Sequence, residues 1–171
     1  MSLQPAKLLV SVCGHDVCVR ILGRANFTSG PDFKTLVTEL HQQGYRHFII
    51  DMSECLLMDS TFLGLVCGLG LKLGESGNGG SGVELLNPNP RVTELLESLG
   101  VTSVVKLVTG SCKMTDAAIH ACESHDREEM AQASLEAHQT LMSLSPENAA
   151  RFKDVAQFLA EDLKRIKAAG S

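Results

Sequence analysis

The spacing of apolar residues changes along this chain, and each change marks an element. Val17, Val19 and Ile21 alternate with Cys18, Arg20 and Leu22, the two-residue period of a strand. With "LLVSV" before them and Gly14-His15-Asp16 between, the segment predicts two strands joined by a tight turn. In "GPDFKTLVTELHQQGY", Phe33, Leu36, Val37 and Leu40 recur at spacings of three and four. That predicts an amphipathic helix with Pro31 in its first turn and Gly44 at its end. "HFIIDMS" is a short apolar run of the kind buried on both faces of a sheet. A second helix is expected to start at Asp59-Ser60-Thr61 and end near Gly74. "VELLN" reads as a strand, and "NPRVTELLESLG" as a helix with Asn89 as cap, Pro90 at its first position and Gly100 at its end. "VVKLV" makes a final strand. The order β-β-α-β-α-β-α-β predicts a mixed sheet of four to five strands with helices packed on it.

From Thr109 onward strand signals stop, and the remainder reads as helices. "TDAAIHACES" is a candidate short helix. "DREEMAQASLEAHQTLMSL" opens with Asp126 and Glu129 at capping-box spacing and lines up Met130, Ala133, Ala137, Leu141 and Leu144. "SPENAARFKDVAQFLAEDLKRI" opens with Ser145 and Pro146 and carries a stripe of Phe152, Val155, Ala156, Leu159, Leu163 and Ile166. The two form an αα-hairpin whose apolar faces must be covered. Of the two possible covers, the chain's own domain or the same hairpin of a second chain, the second is favoured. It would give a homodimer through the C-terminal helices.

Composition narrows the function. A formal charge of −5, one Tyr, no Trp and no aromatic-interleaved basic run argue against nucleic-acid binding. The six cysteines form no C-x-x-C pair, and no signal peptide is read in "MSLQPAKLLVSV". Together these predict a reduced, cytoplasmic protein. The uncharged run from Thr61 to Leu71 is far short of the roughly 20 residues that span a membrane. The loop "GESGNGGSG" has no Lys followed by Ser or Thr, so it is not a phosphate-binding loop, and no cofactor is implied. His120, Cys122 and His125 in "HACESH" do not share a helix face, and a solvated helix edge explains them better than a metal site. Asp51 reads equally as a functional group or as a turn residue.

The polar trio at residues 59–61 interrupts an otherwise apolar stretch, and needs a reason. All three residue types cap helices well, but capping uses one side chain. The glycine elbow of a hydrolase is missing around Ser60, and no histidine sits in a recognisable motif beside it. A hydroxyl at a helix N-terminus is well placed to carry phosphate, because free backbone N–H groups and the helix dipole favour negative charge there. Gly64 and Gly68, one turn apart, are expected to let this helix lie close to the sheet.

"FIIDMSECLLMDSTFLGLVCGLGLKL" resembles the signature of the STAS domain, the anti-sigma-factor antagonist family: an apolar strand ending in Asp, a short loop, then Asp-Ser-Ser/Thr-x-x-Gly opening a glycine-dotted helix. Asp51, Asp59, Ser60, Thr61 and Gly64 fall into that pattern. "ILGRANFTS" is similar to the family's second strand and following loop, with Asn26 where an Asp is usual, and "GVELLNPNPRVTELLESLGVTSVVKLV" to its closing strand, helix and strand. The resemblance covers about residues 5–109 and leaves 110–171 as a C-terminal helical extension. It implies a small sheet with helices largely on one face and a bacterial, non-enzymatic partner switch. Ser60 would be phosphorylated by an anti-sigma factor that is a serine kinase and restored by a PP2C-type phosphatase. Only the unphosphorylated form would bind the kinase. The partner surface implied is Asn26, Asp59, Ser60, Thr61, Phe62 and Gly64. The alternative is a STAS scaffold or accessory subunit of a sensory complex or transporter.

Overall fold

The computed structural model describes residues 6–75, 82–112, 114, 118–121 and 125–170. The strands are β1 (Lys7–Cys13), β2 (Asp16–Ala25), β3 (His47–Asp51), β4 (Cys55–Met58), β5 (Val83–Leu86), β6 (Lys106–Val108) and β7 (Ala118–Ala121). The α-helices are α1 (Gly30–Gln42), α2 (Ser60–Glu75), α3 (Pro90–Ser98), α4 (Arg127–Leu144) and α5 (Pro146–Ala169). The sheet runs β6-β5-β3-β2-β1-β7, with β4 paired to the end of β2. β1 is antiparallel to both its neighbours, while the β2, β3, β5 and β6 pairings are parallel. The mixed sheet expected from the pattern is present, with two strands more than the pattern revealed.

Local chemistry accounts for most boundaries. Val17, Val19 and Ile21 are all fully buried on one face of β2. Gly44 closes α1 at φ +107 and Gly100 follows α3 at φ +62, backbone regions open to glycine because it has no Cβ. Asn89 caps α3 by accepting the Val92 N–H at 2.8 Å, and Ser145 accepts from Asn148 N at 3.1 Å at the start of α5. On β3, Phe48 and Ile50 are buried but Ile49 only partly so; the second face of the sheet is less thickly covered than its apolar sequence suggests. The core centres on Phe33 of α1 and Phe62 of α2, both fully buried with ring centroids 4.7 Å apart.

The C-terminal part corrects two expectations. "TDAAIHACES" is not helical where it is described: Ala118–Ala121 is a strand, with Leu8 opposite His120 in an antiparallel ladder. So short a segment gains little as an isolated helix, whereas β1 without it would present a row of unpaired backbone groups at the sheet edge. The hairpin of α4 and α5 forms as expected, turning on Ser145 alone, but it packs on its own domain. Ala133, Ala137, Leu141 and Phe152 join the main core, and Ala156, Leu159, Leu163 and Ile166 of α5 close over Ala131 and Leu135 of α4. Most of that stripe is thus covered within the chain, while Val155 of the stripe and Phe158 beside it remain exposed. The glycine-rich stretch Gly74–Gly82 lies mostly outside the described residues, and Cys122 lies wholly outside them.

Candidate partner-binding site

The start of α2 is assembled from three directions. Asp59 caps the helix by accepting the Phe62 N–H at 2.9 Å on one carboxylate oxygen. Its other oxygen accepts the Phe27 N–H at 2.7 Å, and its own N–H donates to the Ala25 carbonyl at 2.9 Å. The same side chain therefore fixes the helix start and the loop between β2 and α1. Burial pushes the Asp59 carboxyl upward, against the backbone N–H groups that favour its charge. In that loop the Asn26 side-chain oxygen accepts the Thr28 N–H at 3.0 Å and the Thr28 hydroxyl, and the Asn26 carbonyl accepts the Ser29 N–H. Asn26 is buried and shapes the turn.

Ser60 and Thr61 face α4. The Ser60 hydroxyl lies 2.9 Å from His138 Nε2. His138 Nδ1 is 2.7 Å from the Ser134 carbonyl oxygen. A carbonyl can only accept, so Nδ1 carries the hydrogen; in the neutral ring Nε2 is the acceptor and the Ser60 O–H donates to it. The His138 ring also meets Phe152 edge-on, with centroids 5.1 Å apart. Thr61, only 4% exposed, shares a hydrogen bond of 2.9 Å with the Ser134 hydroxyl. Beside them the two helix backbones touch: a Cβ on Gly64 would stand 2.3 Å from the Ala137 carbonyl oxygen. Ser134, Ala137 and His138 fit over Ser60, Thr61 and Gly64, like ridges into a groove made of small residues.

α4 is tied to α1 as well, at its middle and just before its start. Lys34 of α1 pairs with Glu136. His125, just before the helix, pairs with Glu129 and lies 2.9 Å from the Asp32 carboxylate on α1. Burial opposes a charge on His125, but the two carboxylates outweigh it and hold its pKa above the ordinary histidine value. His125 is therefore part of the docking of α4, not a solvated helix edge, and His120 sits in β7. Among the described residues no three His, Cys, Asp or Glu side chains are grouped to hold a metal.

The residues singled out from sequence are brought together only in part. Asn26, Asp59, Ser60 and Thr61 adjoin one another at the start of α2. Phe62 is wholly buried against Phe33 and offers no surface as the chain is folded here. Gly64 faces α4 and not the sheet, and Gly68 has only Thr140 Oγ1 at 3.8 Å; the close approach to the far side is made by Gly70, against Val104. Asp51 is a turn residue with an ion pair: Ser53 donates from its amide at 3.0 Å and its hydroxyl at 2.6 Å, and Arg20 Nε at 2.8 Å. Burial alone would raise the Asp51 carboxyl, and these donors bring it below the usual carboxylate range. His138 was missed. A histidine does stand at Ser60 with the polarity of a general base, but the pair is closed between two helices. The sequence signal was Ser134 and His138, four apart and one position off the alanine stripe.

A family model for the STAS domain matches residues 8–113, more than half of the chain. Solved structures of similar fold include a Thermotoga maritima protein described as an anti-sigma factor antagonist: 21% identity, TM-score 0.54, covering 60% of this chain and 85% of that one. The anti-sigma factor antagonist SpoIIAA in its unphosphorylated form aligns at 21% identity and TM-score 0.52, covering 60% and 88%. The Bacillus cell fate determinant SpoIIAA in the phosphorylated form aligns at 23% and 0.50, covering 61% and 92%. Among curated proteins, none matches the chain. No helix among the described residues is long and apolar enough to cross a membrane. With its sheet order, its capped Asp-Ser-Thr helix start and the span of the family match, this chain belongs to the STAS domain family.

Proposed function

We propose that the protein is an anti-sigma factor antagonist that works as a partner switch, a non-catalytic binding module controlled by phosphate on Ser60. Its partners are a serine kinase that acts as the anti-sigma factor and a PP2C-type phosphatase. The observation that carries this reading is the placement of Ser60: first residue of α2, held by the Asp59 cap, with its hydroxyl directed out of the domain toward α4. A phosphate there meets the N-terminal end of the helix dipole and leaves the Asp59 cap and the sheet in place.

The same geometry gives the switch an occupant of its own. α4 lies on the surface that a partner reading Asp59, Ser60 and Thr61 has to reach. Phosphate has no room between Ser60 Oγ and His138 Nε2 at 2.9 Å, so phosphorylation and the docked tail exclude each other. The unphosphorylated chain alternates between self-bound and kinase-bound forms, and phosphate, about −1.5 to −2 charges at neutral pH, blocks both.

The test is binding to the host's serine kinase. Ser60→Ala binds constitutively, Ser60→Asp binds at least about tenfold more weakly, and mass spectrometry of protein from its own host finds phosphate on Ser60. Equal affinities for the two variants overturn the switch. The covering of Ser60 by α4 also favours a second reading, in which the site stays shut and the STAS domain serves as a scaffold. Absence of phosphate on Ser60, together with lasting amide protection of α4 when the kinase is present, selects that reading.

A further inference from the structure

β6 lies at one edge of the sheet and β7 at the other. Beyond β6 the described residues lead to Cys112, which meets Cys18 of β2 with the two sulfur atoms 2.7 Å apart. That is closer than two unbonded sulfurs rest, and approaches the roughly 2.05 Å of a disulfide bond. The two residues are positioned independently. Cys18 sits in the middle of the sheet, opposite Ser11 of β1 on one side and Ile49 of β3 on the other. The loop leading to Cys112 is held by Asn87, which donates to the Gly110 carbonyl at 2.8 Å and accepts the Gly110 N–H at 3.1 Å. Among the described cysteines, this is the pair whose sulfurs meet.

We infer that Cys18 and Cys112 form a reversible redox site, a disulfide that closes on exposure to peroxide and fastens the loop after β6 to the sheet. Disulfides of reducing compartments are of this transient, sensing kind. The two thiols have different roles. Cys112 is partly exposed and meets the oxidant. Cys18 is buried, and burial followed by the neighbouring Cys112 pushes its thiol up, so it is spared direct oxidation; its place against Cys112 makes it the group that gives up its proton and resolves the intermediate. In the first step Cys112 attacks the peroxide O–O bond as the thiolate, giving Cys112 sulfenic acid and one water that takes up the thiol proton. In the second the Cys18 thiol loses its proton and the thiolate attacks the sulfenic sulfur; the S–S bond forms, and the S–OH bond breaks to release a second water that carries the Cys18 proton. Two thiols thus lose two electrons and two protons to one peroxide. A cellular dithiol reverses the bond by exchange.

The full-length reduced protein is treated with stoichiometric hydrogen peroxide, alkylated and digested without reductant. The expected product is a peptide pair joining Cys18 to Cys112, with free thiols falling by about two per chain and returning with dithiothreitol. Because the bond closes a long loop, the oxidised protein should melt roughly 5–10 °C higher than the reduced one. Cys112→Ser should keep its remaining thiols under the same treatment, while Cys13→Ser, altered at an exposed strand end, should behave as the unsubstituted protein. Retention of all thiols, a crosslink between any other pair, or arrest of Cys112 at the sulfenic or sulfinic acid overturns the proposal. The peptide map of the unsubstituted protein decides the matter even if a variant folds poorly.

Discussion

Helix α2 is covered on two sides, and the coverings are made differently. Toward the domain's own core it sends Phe62, Leu63, Val66 and Leu73, all at most 2% exposed. Toward α4 it sends Ser60, Thr61 and Gly64, met by His138, Ser134 and the backbone of Ala137. Separating the first side exposes large apolar surface, at roughly 25 cal/mol per Å². Separating the second frees hydroxyls and an imidazole that water satisfies well, so each lost hydrogen bond costs only about 0.5–1.5 kcal/mol net. Apolar contacts hold α4 too, through Ala133, Ala137 and Leu141, so the contrast lies in the polar contacts at the motif. On the proposed switch, one helix carries a permanent interface and a reversible one, a turn or less apart.

Substitutions on each side put that contrast to the test. The largest effect belongs to Phe62→Ala, which empties the space beside Phe33 and should cost about 3–5 kcal/mol in urea unfolding, with sheet and tail lost together. Next comes Gly64→Val, whose side chain would enter the Ala137 backbone. It should cost about 1–3 kcal/mol and strip amide protection from α4 while β2 and β3 stay protected; loss from all of them alike would mean the two interfaces are one. Gly68→Ala, whose Cβ would stand at an ordinary contact distance of 3.8 Å from Thr140 Oγ1, is the matched control and should leave the tail docked.

Asp59→Ala removes the cap of α2 and the acceptor for the Phe27 N–H. A loss of about 1 kcal/mol is expected, with faster exchange of amides 26–29 and poorer phosphorylation of Ser60. The smallest effect is on pH. His125 has its pKa raised in the docked state by Glu129 and Asp32, so its contribution is complete below the ordinary value of about 6.5 and fades as pH rises through the higher docked value. Amide protection of α4 should therefore weaken from pH 6 toward pH 8, and His125→Gln should flatten the trend. A dependence of opposite sign would remove His125 from the docking contact.

The sheet, α1–α3, both hairpin helices and their caps were legible because each rests on local patterning: two-residue alternation, three-four spacing, and Asn89-Pro90 or Ser145-Pro146 at helix starts. β7 was not, because "AIHA" becomes a strand only through the free edge of β1, a tertiary fact. β4 was read as loop for a similar reason, since it pairs with the last residues of β2 across a register shift. At the site, Asp59-Ser60-Thr61 could be read as a polar interruption that capping alone did not explain. His138 could not be matched to Ser60, because sequence gives no distance between residues so far apart. Gly64 and Gly68 carry the same helical signal, and only the position of α4 tells them apart.

If a partner competes with α4 for the start of α2, as the proposed switch requires, the tether of α4 sets the terms. β7 is fastened to β1 in the sheet, and residues 122–126 are all that separate it from the helix. A released α4 therefore stays at an effective concentration in the millimolar range over its own docking surface, as short linkers generally impose. If the tail is docked in about 99 of 100 molecules, a kinase of given intrinsic affinity binds roughly a hundredfold more weakly than to a chain without the tail. The length of that connection, and not the chemistry of Ser60 alone, then fixes the kinase concentration at which the switch turns.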